Sequence, residues 1–262
     1  MLPGSFDEGF DLMGDTLTVV ELPRAGLATG VDGALLSWWD PDSECTVAIA
    51  RPEDNDALWQ EYLAGAARSY RRNGIGAAID IDQIRRSGDT TLFWTMLDAA
   101  ATVVGGIRAV GPLTSPDETH AVVEWAGQPA QSSVRKMIAD RLPFGVVEMK
   151  SAWITDDPGR NRRLTATLAR AGCHMMAALG VQFCLATCAQ HVLARWRSSG
   201  GAVAPIRSTP YPDDRFRTKM MWWDRLTVAR LAAPGQTARI VAEMADIRRC
   251  VESSSRHAPM GS

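Results

Sequence analysis

The chain has 262 residues, 46% hydrophobic and 22% charged, with a formal net charge of −2, a composition suited to one substantial globular core. With no basic excess to neutralise phosphates, a broad nucleic-acid surface is excluded. Residues 1–14 lack a basic start or a continuous apolar run, no stretch approaches the ~18 apolar residues of a membrane span, and five scattered cysteines suit a reducing compartment, so a cytoplasmic protein without a transmembrane segment is expected.

In chain order, residues 16–22 and 33–39 are short β-rich runs separated by Gly26, Gly30 and Gly33, which reads as a leading hairpin or extension. Residues 45–50 (CTVAIA) predict a strand that stops at Arg51-Pro52. Asp54 then offers an N-cap to a helix over 55–71, whose apolar face is Leu58, Tyr62, Leu63, Ala66 and Tyr70. The helix ends at Asn73-Gly74, and a loop with Asp80 and Asp82 follows. Strands are expected at 91–97 and 102–110, where Gly105-Gly106 predicts a bulge or a close backbone approach.

A short strand is expected near 121–125 and a helix near 132–141. Residues 144–155 (FGVVEMKSAWIT) are almost continuously apolar, as a central strand buried on both faces would be. After a loop at 156–161 comes one long helix with a core face of Leu164, Leu168, Ala171, Met175 and Leu179, closed by Gly180. A strand at 181–187, a short helix at 190–197, a last strand at 219–224 and a terminal helix at 236–251 complete the pattern. Strands and helices do not strictly alternate, which excludes a plain Rossmann domain.

Three local matches resemble the GNAT superfamily of acyl-CoA N-acyltransferases, within the branch of acyl-homoserine-lactone synthases and N-acyl amino acid synthases. Gly105-Gly106-Ile107-Arg108 with Pro112 is similar to a G-x-x-R-x-x-P strand. Val147-Glu148-Met149 is similar to an apolar-Glu-apolar signature, and Asp80-x-Asp82 to an acidic E-x-D-x-x-D segment. Tyr211-Pro212-Asp213-Asp214 followed by 218–223 is similar to the ends of N-acyl amino acid synthases. The chain departs from these patterns at Ser151, where the branch has arginine, and in the carrier loop, where Arg163 and Thr165 replace small residues.

The resemblance, running from about residue 45 to 224, implies an α/β (α+β) GNAT-like fold with a mixed central sheet flanked by helices. It makes residues 1–44 a β-rich extension, 45–224 the acyltransferase domain and 225–262 a helical extension. It implies an N-acyltransferase that moves an acyl group from acyl-CoA, acetyl-CoA or an acyl-carrier protein to the amine of an amino acid or other small molecule. The alternative is a non-catalytic module that binds CoA thioesters as a sensor or partner subunit.

Direct transfer from a thioester to an amine requires deprotonation of the amine, polarisation of the carbonyl and protonation of the leaving thiolate. Glu148, a lone acid in an apolar run, is the candidate base; its alternative is a structural ion pair with Arg108. Tyr211 is the candidate acid, or else packs on its loop. The resemblance assigns Trp153, Ile154, Thr155, Gly159, Arg160, Asn161, Arg162 and Arg163 to the carrier. The last five also form a flexible, arginine-rich helix start suited to phosphate, or a solvated loop. Arg108, Asp80, Asp82, Asp213 and Asp214 are candidate acceptor-binding residues, the aspartates being equally turn formers. Cys184, Cys188 and His191 have spacing near a zinc half-site but no second ligand pair, so no metal is expected; His120, His174 and His257 likewise point to none. Of the nine tryptophans, Trp38, Trp39, Trp94, Trp125, Trp153, Trp222 and Trp223 fit either an acyl channel or ordinary core.

Overall fold

A computed structural model of the protein describes residues 31–257; the expected strand at 16–22, Gly26, Gly30 and the side chain of His257 lie outside what it describes. The elements in chain order are β1 (Ala34–Asp40), β2 (Cys45–Ala50), α1 (Asp56–Arg72), α2 (Ile81–Ser87), β3 (Thr90–Leu97) and β4 (Val103–Val110). Then come α3 (His120–Glu124), α4 (Gln131–Ala139), β5 (Val146–Ile154), α5 (Asn161–Ala169), α6 (Ala171–Leu179) and β6 (Phe183–Ala189). The chain continues through α7 (Leu193–Arg197), β7 (Ala202–Val203), β8 (Thr209–Pro210), β9 (Arg217–Asp224), α8 (Val228–Leu231) and α9 (Pro234–His257).

The strands form one mixed sheet in the order β1-β2-β3-β4-β5-β6-β9-β7, with β8 also on β9. Among the described residues every pairing is antiparallel except β5 with β6, which run parallel. Side chains alternate across it. Val47, Ile49, Trp94, Met96, Val147 and Met149 pack on one face with residues of α5, α6 and α9. On the other face Ala48, Ala50 and Phe93 pack under α1, while Val146, Leu185, Met220 and Trp222 pack under α3 and α4. Trp94, Trp125 and Trp223 are completely buried in these layers and Trp39 is largely exposed.

Four local expectations are corrected. The N-cap of α1 is Asn55, whose side chain accepts from the Leu58 N–H, not Asp54. Asp80 and Asp82 sit at the start of α2, where Asp80 accepts from the Gln83 N–H, and not in a loop. The β-rich run at 121–125 is helical, because the N–H groups of His120 and Ala121 are held by the Glu148 carboxylate; tertiary contacts override local preference. The single long helix after residue 161 is two, α5 and α6, meeting at Arg170.

Close packing at Gly106 agrees with the sequence expectation. A Cβ there would stand 2.7 Å from the Trp94 carbonyl oxygen and from the Tyr62 ring, so only glycine lets α1 lie this near β4.

The junction at Arg170 is a buried charge centre. Its guanidinium donates to Asp40 Oδ1 (2.6 Å), Glu243 Oε2 (2.9 Å) and Gln236 Oε1 (3.1 Å). Glu243 also meets His174 Nε2 at 2.8 Å, and His174 Nδ1 accepts from Trp94 Nε1. Burial raises the Asp40 carboxyl, but Arg170, Ser43 and Thr167 together outweigh it and hold the group below the ordinary carboxylate range. The end of β1, the α5–α6 junction and α9 are thereby fastened at one point.

Arg170→Ala should destabilise the fold by about 3–5 kcal/mol in urea unfolding at neutral pH, because Asp40 is left buried and uncompensated. The exposed Arg215–Asp213 pair offers the contrast: Arg215→Ala should leave the urea midpoint nearly unchanged, because solvent screens the pair. Equal costs for the two would show that the buried centre does not secure the fold.

Candidate active site

The site begins with a defect in β5. Gly106 pairs with Trp153 and Arg108 with Lys150, so β5 carries one residue more than β4 between these pairs. The extra residue is Ser151, whose φ of +56° lies in the left-handed region. Such a bulge bends the strand and reverses which face each later side chain occupies. Glu148 and Lys150 lie before it; after it, Trp153 joins the cluster under α1 while Ala152 and Ile154 pack on the opposite one. The Tyr62 hydroxyl donates to the Ser151 carbonyl at 2.9 Å and holds the bulge to α1.

At the same place the parallel pair comes apart. β5 and β6 are in register from Val146 with Phe183 to Met149 with Ala186, and no further. Beyond that point Lys150–Ile154 and Thr187–Ala189 diverge, and a cleft of about 900 Å³ opens between them.

Glu148 is 1% exposed. Its Oε2 accepts from the His120 N–H (2.9 Å) and its Oε1 from the Ala121 N–H (3.1 Å). Burial raises its pKa, against the lowering effect of Lys150 and of those two N–H groups. The carboxylate therefore anchors the start of α3. Arg108 does not pair with it but donates to Asp89 Oδ1 (2.8 Å) and Thr90 Oγ1 (3.0 Å).

This anchorage sets two α3 side chains over the cleft. His120 Nε2 lies 2.7 Å from the Tyr211 hydroxyl and 3.7 Å from Glu124 Oε1. Burial, with Lys150 and Arg108 nearby, lowers the His120 pKa to about 4, so the imidazole is neutral at neutral pH. Glu124 Oε1 accepts from the Thr187 hydroxyl at 2.8 Å, on the first β6 residue past the parting. Its Oε2 is buried without a hydrogen-bond partner among the described residues. Burial raises the Glu124 pKa to about 8, and the Glu148 charge adds to that. Tyr211 is half-buried and its hydroxyl is raised by burial and by Glu124.

Of the sequence-derived carrier residues, Trp153, Ile154, Thr155 and Asn161 line the cleft, and Gly159, Arg160, Arg162 and Arg163 do not. Arg160 turns to the Ser43 carbonyl and the Cys45 thiol, and Arg163 pairs with Glu44 at 2.9 Å. Arg162 is exposed. Asp80 lines the cleft; Asp82 and Asp213 are paired with Arg85 and Arg215, and Asp214 is exposed. Among the tryptophans only Trp153 and Trp196 face the cavity. Cys184 is buried, and the Cys188 sulfur lies 3.6 Å from that of Met221.

The sequence raises His120 only as a metal ligand and does not single out Glu124. A lone histidine and a lone glutamate on a short element carry no spacing signal; only the fold sets them against Tyr211 and Thr187.

The raised Glu124 pKa also predicts a pH effect with a definite sign. The native state favours the neutral carboxyl, so its contribution is complete below the ordinary glutamate pKa and is lost as pH rises through about 8. Denaturant midpoints should fall as the pH is raised from the ordinary glutamate range to about 8, level off above it, and fall less in Glu124→Gln; parallel curves would contradict the assignment.

No protein-family model matches the chain. Uncharacterized proteins of Mycobacterium tuberculosis and Mycobacterium bovis are 49% identical to it over 221 residues, which is 84% of this chain and 84% of each of theirs. The structure of FeeM, an N-acyl amino acid synthase from uncultured soil microbes, is similar with a TM-score of 0.52, at 9% identity, over 70% of this chain and 92% of that one. A CoA-dependent acyl-homoserine lactone synthase, MesI, gives 0.45 at 14% identity, over 78% of this chain and 94% of the other. The similarity to FeeM, together with the parting of the parallel pair β5 and β6, establishes the GNAT fold that the sequence resemblance implied. The chain belongs to one family with the uncharacterized mycobacterial proteins, and it is built on the GNAT fold.

Proposed function

We propose that the protein is an N-acyltransferase that carries an acyl group from a CoA thioester to the amine of a small molecule. The observation that supports this most directly is the parting of β5 and β6 onto a cleft of about 900 Å³. Strand edges that leave a ladder need new partners, and a pantetheine arm carries amides that pair with them as a short added strand would. An acyl-carrier protein presents the same arm, and an amino acid is one acceptor of the right class. Five cysteines scattered along the chain fit action in the cytoplasm.

In this reading Trp153, Ile154, Thr155 and Asn161 flank the arm. The carrier phosphates meet the start of α5 near Gly159–Arg163, where the first N–H groups have no intrahelical acceptor and Arg162 supplies charge. Glu148 acts as a positioning residue, because both its oxygens are committed to α3. Tyr211 delivers a proton to the leaving thiolate. Asp80 and Lys150 face the acceptor; burial lowers the Lys150 pKa, an effect offset mainly by Glu148.

Calorimetry with CoA, acetyl-CoA and a long-chain acyl-CoA, followed by thiol release with a pool of amino acids and small amines, tests the reading. Thr165 lines the cleft from α5, and Thr165→Trp should fill the arm's path and weaken CoA binding at least tenfold without lowering the unfolding midpoint. Arg162→Ala should weaken it by about tenfold, since a charged hydrogen bond contributes ~1.5–3 kcal/mol, and binding should weaken with salt. Binding without thiol release would favour the sensor module, a reading consistent with the diversion of Arg160 and Arg163 from the cleft. Absence of any CoA or acyl-CoA affinity would exclude both.

A further inference from the structure

We infer that Glu124 is the catalytic proton acceptor of the cleft, and that His120 passes the proton on to Tyr211. The inference rests on the acyl-transfer reading and adds to it the group that activates the amine. Two carboxylates compete for this role. Glu148 has each oxygen bound to a backbone N–H of α3, so taking up a proton would release the helix that holds His120 and Glu124. Glu124 has one oxygen held by Thr187 and the other, Oε2, buried with no partner among the described residues. An unsatisfied buried carboxylate oxygen is costly in a folded protein unless it has a job. The residue itself lines the cleft beside Thr187, the first β6 residue no longer paired with β5, where the thioester reading sets the reacting carbonyl.

The neighbours suit a base that is reprotonated each cycle. Glu124 is faced by Glu148 and Lys150 from β5, Thr187 and Cys188 from β6, His120 on its own helix, Tyr70 from α1 and Tyr211 from the loop before β9. Burial, more than any of these charges, places its pKa at about 8, close to the working range of a general base. His120 is neutral; its Nε2 meets the Tyr211 hydroxyl at 2.7 Å and stands 3.7 Å from Glu124 Oε1, a gap that a small side-chain shift closes.

The step balances without another reactant. The amine nitrogen forms the C–N bond and gives its proton to Glu124. As the C–S bond breaks, its electron pair goes to sulfur, which takes the Tyr211 proton. With its Nε2 unprotonated, His120 takes the proton from Glu124 and hands it to the Tyr211 oxygen, so all three groups return to their starting states.

The experiment measures thiol release from acetyl-CoA and a long-chain acyl-CoA, with the same amine pool, across roughly pH 5–10. It compares the wild type with Glu124→Gln, Glu124→Asp and His120→Phe. Infrared titration of the wild type minus Glu124→Gln reads the carboxyl directly and needs no turnover. Glu124→Gln should lower kcat at least about 100-fold, lose the rise in rate near pH 8 and leave CoA affinity unchanged, with partial rescue in Glu124→Asp. The amine's own ionisation persists in every variant, so the difference between profiles belongs to Glu124. The infrared difference should show a carboxyl that ionises near pH 8. His120→Phe, which keeps the backbone N–H to Glu148, should lower kcat about tenfold while retaining that rise. An active wild type whose Glu124→Gln variant keeps its rate and profile overturns the role of Glu124, as does an infrared difference with no such carboxyl. Unchanged kcat in His120→Phe overturns the relay. A wild type that binds CoA but releases no thiol overturns the acyl-transfer reading, and this inference falls with it.

Discussion

Everything at the cleft depends on one extra residue in one strand. Were β5 regular through Ser151, its parity would continue, Trp153 would face away from α1, and the parallel ladder with β6 would have no reason to stop at Met149 and Ala186. The bulge bends the strand, and the Tyr62 hydroxyl on the Ser151 carbonyl keeps the bend in place. Tyr62 in turn lies close to β4 only because Gly106 has no Cβ. A glycine on one strand, a tyrosine on a helix and a serine at positive φ therefore act as one device, and its product is an opening in an otherwise continuous sheet.

The two faces of the sheet treat charge differently. Under α5, α6 and α9 the buried charges are balanced: Arg170 meets Asp40 and Glu243, and each acid has further hydrogen bonds. Such a centre fixes geometry and leaves nothing available for chemistry. On the other face, Arg108, Glu148, Lys150, His120 and Glu124 run between the apolar cluster under α1 and that under α3 and α4. This seam is only partly satisfied. The three buried acids Asp40, Glu148 and Glu124 show the gradation, from several strong partners, to two backbone N–H groups, to a single hydroxyl with one oxygen left over.

That gradation also orders their ionisation. Asp40 is held below the ordinary carboxylate range, Glu148 is raised, and Glu124 is raised to about 8. Burial acts on all three in the same direction, so the difference lies in what answers it. A buried acid with few partners is a cost to the fold, and it is found at the cleft, where strain and unsatisfied groups are expected of a functional site.

By itself the sequence determined most of the strands and the apolar helix faces, and it implied the GNAT fold through its motif resemblance. Periodicity is a local property, readable wherever a segment buries one face, as in 45–50, 91–97 and α1. It also marked Glu148 as an acid where apolar residues belong, and Gly105-Gly106 as a close approach. Tertiary structure alone decided what these features do. The run at 121–125 has β-branched residues yet is helical because a carboxylate 27 and 28 residues away holds its first N–H groups. The arginines at 160 and 163 fit a phosphate loop in sequence but turn to the β1–β2 connection, where Cys45 and Glu44 meet them. His120, Glu124, Thr187 and Tyr211 are far apart in the chain, and their meeting is set by the sheet order and by the parting of β5 from β6. Long-range pairing leaves no trace in local spacing, which is why the frame was legible in the sequence and the constellation at its centre was not.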